Sequence, residues 1–139
     1  MRARTAFELR PWPFAKRPRV LIEQPDPDAS LELAGALRDA GYAVAICRGP
    51  SSAARCPLHR LEDCVVVEGA DVVVTALDFE REEGRAVLEG LRLRYPATPL
   101  VVAATAAESI EVADVLHGCT VVPVDVEAER IVNVVKEVA

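Results

Sequence analysis

The sequence predicts a single three-layer α/β domain, a five-stranded parallel sheet with helices on both faces. Two observations predict it. Five short apolar runs, at 20–22, Ala43–Cys47, 71–77, Leu100–Ala104 and 120–124, lack the polar alternation of a half-exposed strand and are rich in valine and alanine. Between them lie segments with apolar residues at helical spacing, the pattern of β/α units whose helices cover a sheet on both sides. The length of 139 residues suits one such domain.

Residues 1–18 stand apart as a basic, extended arm. Pro11 and Pro13 flank Trp12 and favour extended backbone. Trp12 and Phe14 are expected to pack on the body or on a partner, since nothing near them in sequence can bury them. The domain proper runs from 19 to 139. After the apolar run at Val20, Leu21 and Ile22, the stretch Pro25-Asp26-Pro27-Asp28 ends the strand. Asp26 or Asp28 is placed to cap the helix that follows, and Pro27 suits its first turn. Leu31, Leu33, Ala34, Leu37 and Ala40 keep helical spacing up to Gly41, a natural terminator. Ala43–Cys47 is the second strand, closed by Gly49-Pro50. Residues 50–70 allow two readings, a short helix over 57–68 or a strand-like run at 65–67.

The third strand is 71–77, with Val72, Val73 and Val74 at its centre. A charged helix over 80–95 carries Val87, Leu88 and Leu91 on one stripe, and Pro96 and Pro99 turn the chain into the fourth strand. A helix at 108–116 stops at Gly118, the fifth strand is 120–124, and a helix at 127–138 presents Ile131, Val132, Val135 and Val138 on one face. Five β/α units of this length fit the flavodoxin-like strand order 2-1-3-4-5. A dinucleotide-binding fold fits worse, because no glycine-rich turn follows the first strand, and there is no P-loop.

Charge narrows the function classes. The net charge is −6, yet residues 1–19 carry six basic side chains against Glu8, leaving the rest at −11. An acidic body argues against a nucleic-acid-binding face there, so such contact is left to the arm. No apolar run approaches the roughly 20 residues of a membrane span, and no signal-peptide-like stretch opens the chain, so a cytoplasmic protein is expected.

With these elements placed, the chain resembles the receiver domain of two-component response regulators over residues 19–138. Arg19-Val20-Leu21-Ile22 followed by Asp26-Pro27, then Ala70-Asp71-Val72-Val73-Val74, Tyr95-Pro96 leading to Leu100-Val101-Val102, and Gly118 before the fifth strand carry the likeness. The resemblance implies a phosphoryl-transfer site of four parts. Acidic residues after the first strand hold Mg²⁺, and an aspartate ending the third attacks phosphorus. A Thr or Ser after the fourth strand and a Lys after the fifth bind the phosphoryl oxygens. That chemistry is mostly positioning and charge neutralisation, so each missing part costs much of the rate.

All four parts are replaced here. The acidic positions fall on Gln24 and Pro25, leaving Glu23 and Asp26 as displaced candidates. The acceptor position is Ala76, and Asp78 two residues later reads as a loop or cap aspartate ahead of the helix at Glu80. The fourth-strand position is Ala104, with Thr105 one place late, and Val121-Val122-Pro123-Val124-Asp125 contains no lysine. A pseudo-receiver is therefore expected, not an enzyme, acting by contact with a protein partner or with a second copy. A receiver's usual signalling face corresponds to the region from Glu108 to Ala139. The arm and the valine-rich last helix point to a homodimer.

Cys47, Cys56, His59 and Cys64 fall within eighteen residues, with a C-x-x-H spacing at Cys56. Thiolates and imidazole suit tetrahedral zinc or another thiolate-bound metal. A redox pair and plain apolar packing are the other readings. The cluster supplies the second functional hypothesis, a metal- or redox-responsive sensor; no other cofactor is expected. Cys119 is read as packed core, and His117, at a helix end, as structural.

Overall fold

Alternate residues along five valine-rich strands fill two aliphatic cores, one on each face of a twisted parallel sheet. The computed structural model describes Trp12, residues 18–49, Leu58 and residues 63–139. The strands are β1 (Arg19–Glu23), β2 (Ala43–Cys47), β3 (Val72–Thr75), β4 (Leu100–Ala104) and β5 (Thr120–Pro123). Their order is β2-β1-β3-β4-β5, all parallel, as the alternation predicts. The helices among the described residues are α1 (Pro27–Asp39), α2 (Val65–Glu68), α3 (Glu82–Arg94), α4 (Ala106–Glu111), α5 (Ala113–Leu116) and α6 (Ala128–Val138).

Val20, Ile22, Val72, Val74, Val101 and Val122 face one side, where Leu33, Ala34 and Leu37 of α1 and Ile131, Val132 and Val135 of α6 cover them. Leu21, Val73, Leu100 and Val102 face the other, against Val67 of α2, Val87, Leu88 and Leu91 of α3, and Val112 and Leu116. The valine face of α6 is thus covered inside the molecule. Trp12 is as well: it is buried, and its Nε1 donates to the Val66 carbonyl at 3.2 Å. Arg19 holds it from the strand side, donating to the Trp12 and Gly69 carbonyls, with its guanidinium 6.0 Å from the ring centre. Trp12 and the valine face of α6 are therefore covered within one chain. Phe14, with residues 1–11 and 13–17 of the arm, lies outside the described residues.

Several element boundaries differ from expectation. Val65–Glu68 is helical, which removes the strand reading of 65–67; Pro57 and residues 59–62 of the expected helix lie outside the described residues. The helix expected at 108–116 is two short helices that start two residues earlier and break at Val112, whose side chain is drawn into the core. The start moves because Thr105 is the cap: its hydroxyl accepts from the Glu108 amide while the Glu108 carboxylate accepts from the Thr105 amide. At α1, Asp26 holds the cap position without a side-chain cap bond, and Pro27 opens the helix. Gly41, at φ +101°, turns the chain out of α1 in a conformation that other residues rarely adopt. No helix among the described residues is long and apolar enough to cross a membrane.

Candidate functional site

In doubly wound parallel sheets ligands bind beyond the C-terminal ends of the strands, so the candidate site is the rim formed by the exits of β1, β3, β4 and β5. Each exit is fixed mainly by backbone bonding. After β1, the Gln24 amide donates to the Cys47 carbonyl at 3.0 Å, and the Gln24 side chain accepts from the Asp26 amide. Pro25 and Asp26 are exposed. After β3, the Ala76 amide donates to the Glu23 carbonyl at 2.8 Å, so a methyl group stands where a receiver's acceptor would. Asp78 is exposed and turned away into its own loop, its Oδ1 accepting from the Glu80 amide at 3.0 Å. Of the loop and cap roles that its place before a helix suggests, this is the loop role, since Arg81 holds the cap position of α3 without a side-chain cap bond.

The β4 exit is tied to the β3 exit by one side chain. Glu108 is buried, and its Oε1 accepts from the Thr105 amide while its Oε2 accepts from the amide of buried Phe79, both at 2.8 Å. The hydroxyl of Thr105 is engaged by the Glu108 amide at 3.1 Å. The residue one place past the receiver position is therefore committed to capping α4. Ala104 is buried on the last pair of β4, opposite Pro123. At the end of β5 and just after it the exposed side chains are Pro123, Val124 and Asp125, with no cation among them. An anionic group arriving at this rim meets a methyl, a committed threonine and an aspartate.

The carboxyl that does occupy the sheet end is Glu23, the last residue of β1. It is 3% exposed and pairs in register with Cys47 on β2 and Thr75 on β3. Burial pushes its carboxyl up to about 7, with the neighbouring Thr75 hydroxyl pulling it part of the way back. Thr75 stands close enough to exert that pull, but neither its Oγ1 nor the Glu23 Oε1 has a bond of full hydrogen-bond geometry. As a displaced magnesium ligand Glu23 is badly placed, because it is sealed from solvent. Its inward position is readable in the sequence: Glu23 shares the parity of Leu21, and a glutamate closing an apolar run on that parity points into the core. Glu108 too had a signal, the Thr105-Ala106-Ala107-Glu108 spacing of a capping box.

Of the cysteine cluster, Cys47 ends β2 and Cys64 precedes α2, both half-buried against the core on the α3 side of the sheet. The Cys64 amide donates to the Tyr95 hydroxyl at 2.8 Å, which also lies 3.1 Å from Glu68 Oε2. Cys56 and His59 lie outside the described residues, and among the described residues no three potential ligands gather. Cys119 packs half-buried against the same core, its thiol pushed up by burial and drawn partly back by Arg92. His117 is exposed at the end of α5, where its carbonyl accepts from Arg92.

No family model matches the sequence, and no curated protein matches it. Solved structures do. The chemotaxis protein CheY4 of Vibrio cholerae aligns at 18% identity and a TM-score of 0.64 over 88% of this chain and 98% of that one. A CheY-like response regulator receiver domain from Methanospirillum hungatei JF-1 aligns at 18% identity and 0.66, over 86% and 91%. The signal receiver domain of an HD domain-containing protein from Pseudomonas fluorescens Pf-5 aligns at 13% identity and 0.67, over 88% and 94%. At these identities the likeness concerns architecture, and it agrees with the strand order: the chain has the fold of the response-regulator receiver domains.

Proposed function

We propose that this chain is a receiver-like signalling module that works by protein contact and does not accept a phosphoryl group. The observation that carries the reading is the β3 exit, where Ala76 replaces a nucleophile and its amide is bonded back to Glu23. The other exits support it: Thr105 caps α4, Gln24 and Pro25 replace the acids, and residues 121–125 hold no lysine. Without a nucleophile at the acceptor position, and without a cation at the described exits of β1, β3, β4 and β5 to neutralise the developing charge, those exits lack both halves of the chemistry. Incubation of the full chain with acetyl phosphate and Mg²⁺ should leave its intact mass unchanged. A labile adduct of roughly 80 Da, one phosphoryl group, would overturn the reading, and Asp78→Asn would show whether Asp78 had taken it.

The contact surface is placed on residues 108–139, the region that corresponds to a receiver's signalling face. Ile110, Val121 and Val124 are large, apolar and exposed there. β5 is also an edge strand, and Pro123 limits how far another strand can pair along it. A second copy of the chain is the first partner to test, since two-fold pairing is the commonest assembly. Light scattering should return twice the 15.0 kDa of one chain, reverting to one chain in Val121→Asp. A monomer at all concentrations would leave this face to a different protein.

A further inference from the structure

The register lines up Cys47, Glu23 and Thr75 on three adjacent strands at the C-terminal end of the sheet. Glu23 and Thr75 are 3% and 0% exposed, and the Glu23 Oε1 and Thr75 Oγ1 are both without a hydrogen-bond partner among the described residues. A buried carboxylate with an unpartnered oxygen is costly for a core to hold, whereas the neutral acid is far cheaper. Among the described residues, the ionisable groups on the surrounding elements give it no countercharge. They are Cys47 on β2, exposed Asp26 and Asp28 at the head of α1, exposed Asp78 after β3, and Glu108 of α4, already held by Phe79 and Thr105. Arg48, the residue following β2, is exposed.

We propose that Glu23 is a proton-binding site that couples the packing of the sheet's C-terminal end to pH, closed around the neutral acid and loosened when it ionises. The coupling has a backbone route. The Glu23 carbonyl accepts from the Ala76 amide at 2.8 Å, and one residue on, the Gln24 amide donates to the Cys47 carbonyl at 3.0 Å. Glu23 thus sits between the bonds that prolong the sheet toward β3 and toward β2. The carboxyl titrates near 7 in the fold against 4.5 when unfolded. Its contribution to stability is therefore fully present below about pH 4.5 and is lost as the pH rises through about 7. Loosening belongs to the alkaline side of neutrality.

The test is a carboxyl ¹³C NMR titration of the full chain from about pH 4 to about pH 9, with Glu23→Gln to assign the resonance. Amide hydrogen exchange is followed at Gln24 and Ala76 in parallel. One glutamate should titrate near 7 and be missing in Glu23→Gln. Exchange at Gln24 and Ala76, corrected for the intrinsic pH effect, should quicken about tenfold or more across that midpoint. Exchange at Ala40, at the far end of α1, should not. A glutamate midpoint in the ordinary range near 4.5 overturns the proposal. So does exchange at Gln24 and Ala76 that follows Ala40 throughout. Should Glu23→Gln fail to fold, the comparison of Gln24 and Ala76 with Ala40 in the wild-type chain still decides.

Discussion

Replacing Gly84 with alanine should cost about 3 kcal/mol, although alanine is the better helix former by nearly 1 kcal/mol. Gly84 lies in the first turn of α3, and a Cβ there would overlap the carbonyl oxygen of Asp78. That oxygen has little freedom to retreat. It accepts from the Arg81 amide at 3.2 Å, while the Asp78 side chain accepts from the Glu80 amide, so the turn is bonded at both ends. The next residue, Phe79, is wholly buried and tied to Glu108. Relief would have to come from moving α3 off the sheet. Gly35 of α1 supplies the control, because nothing lies within 4 Å of a Cβ placed there. Gly35→Ala should be neutral or stabilising by up to about 1 kcal/mol. Urea unfolding of both variants checks the contrast, and a Gly84→Ala chain as stable as wild type would mean that the Asp78 turn yields freely.

Trp12→Ala should also lower stability by about 3 kcal/mol, in the range for deleting a buried indole, or roughly 9 °C in Tm for a domain of this size. The ring is 6% exposed, lies against Gly69 and donates to the Val66 carbonyl. Trp12→Phe keeps much of the apolar contact and loses the indole bond, so a cost near 1 kcal/mol is expected. As this is the single tryptophan of the chain, its fluorescence reports the docking directly. Emission should be blue-shifted in the native protein and move to the red on unfolding. A solvent-like spectrum in the folded state would show that the arm is not seated.

Much of the fold is legible because a sheet buried on both faces imposes an unbroken apolar demand that few other structures share. Val72, Val73 and Val74 are 0%, 0% and 1% exposed, and three valines in a row suit a strand with no solvent face. Helix starts are harder, since they depend on a single side chain: the Thr105-to-Glu108 spacing allows a capping box, and only the reach of Glu108 back to the Thr105 amide sets the start of α4 there. The region from 57 to 68 is ambiguous for a different reason. Val65, Val66 and Val67 have strand propensity, and the helix exists because tertiary contacts overrule it: Val67 enters the core and the Val66 carbonyl receives Trp12 from 54 residues away. The missing receiver groups are visible as missing letters. What replaces them is less so: the inward parity of Glu23 can be read, but that one of its oxygens lacks a bonded partner is a property of three strands in register.

The strand order also governs how such a chain acquires its structure. β1 is the first strand made, yet its partners start 24 and 52 residues later, in the pairs Arg19–Ala43 and Val20–Val72. With no hairpin anywhere in the sheet, no strand can pair with its immediate successor through a tight turn. A nascent chain carries Trp12 exposed until Val66 and Gly69 have emerged, and the core beneath α1 stays open until α6 is complete. Helices form in microseconds or less, but distant strands must first meet by closing long loops. Folding here is paced by that search, and until it ends the emerging chain holds the indole of Trp12 in water.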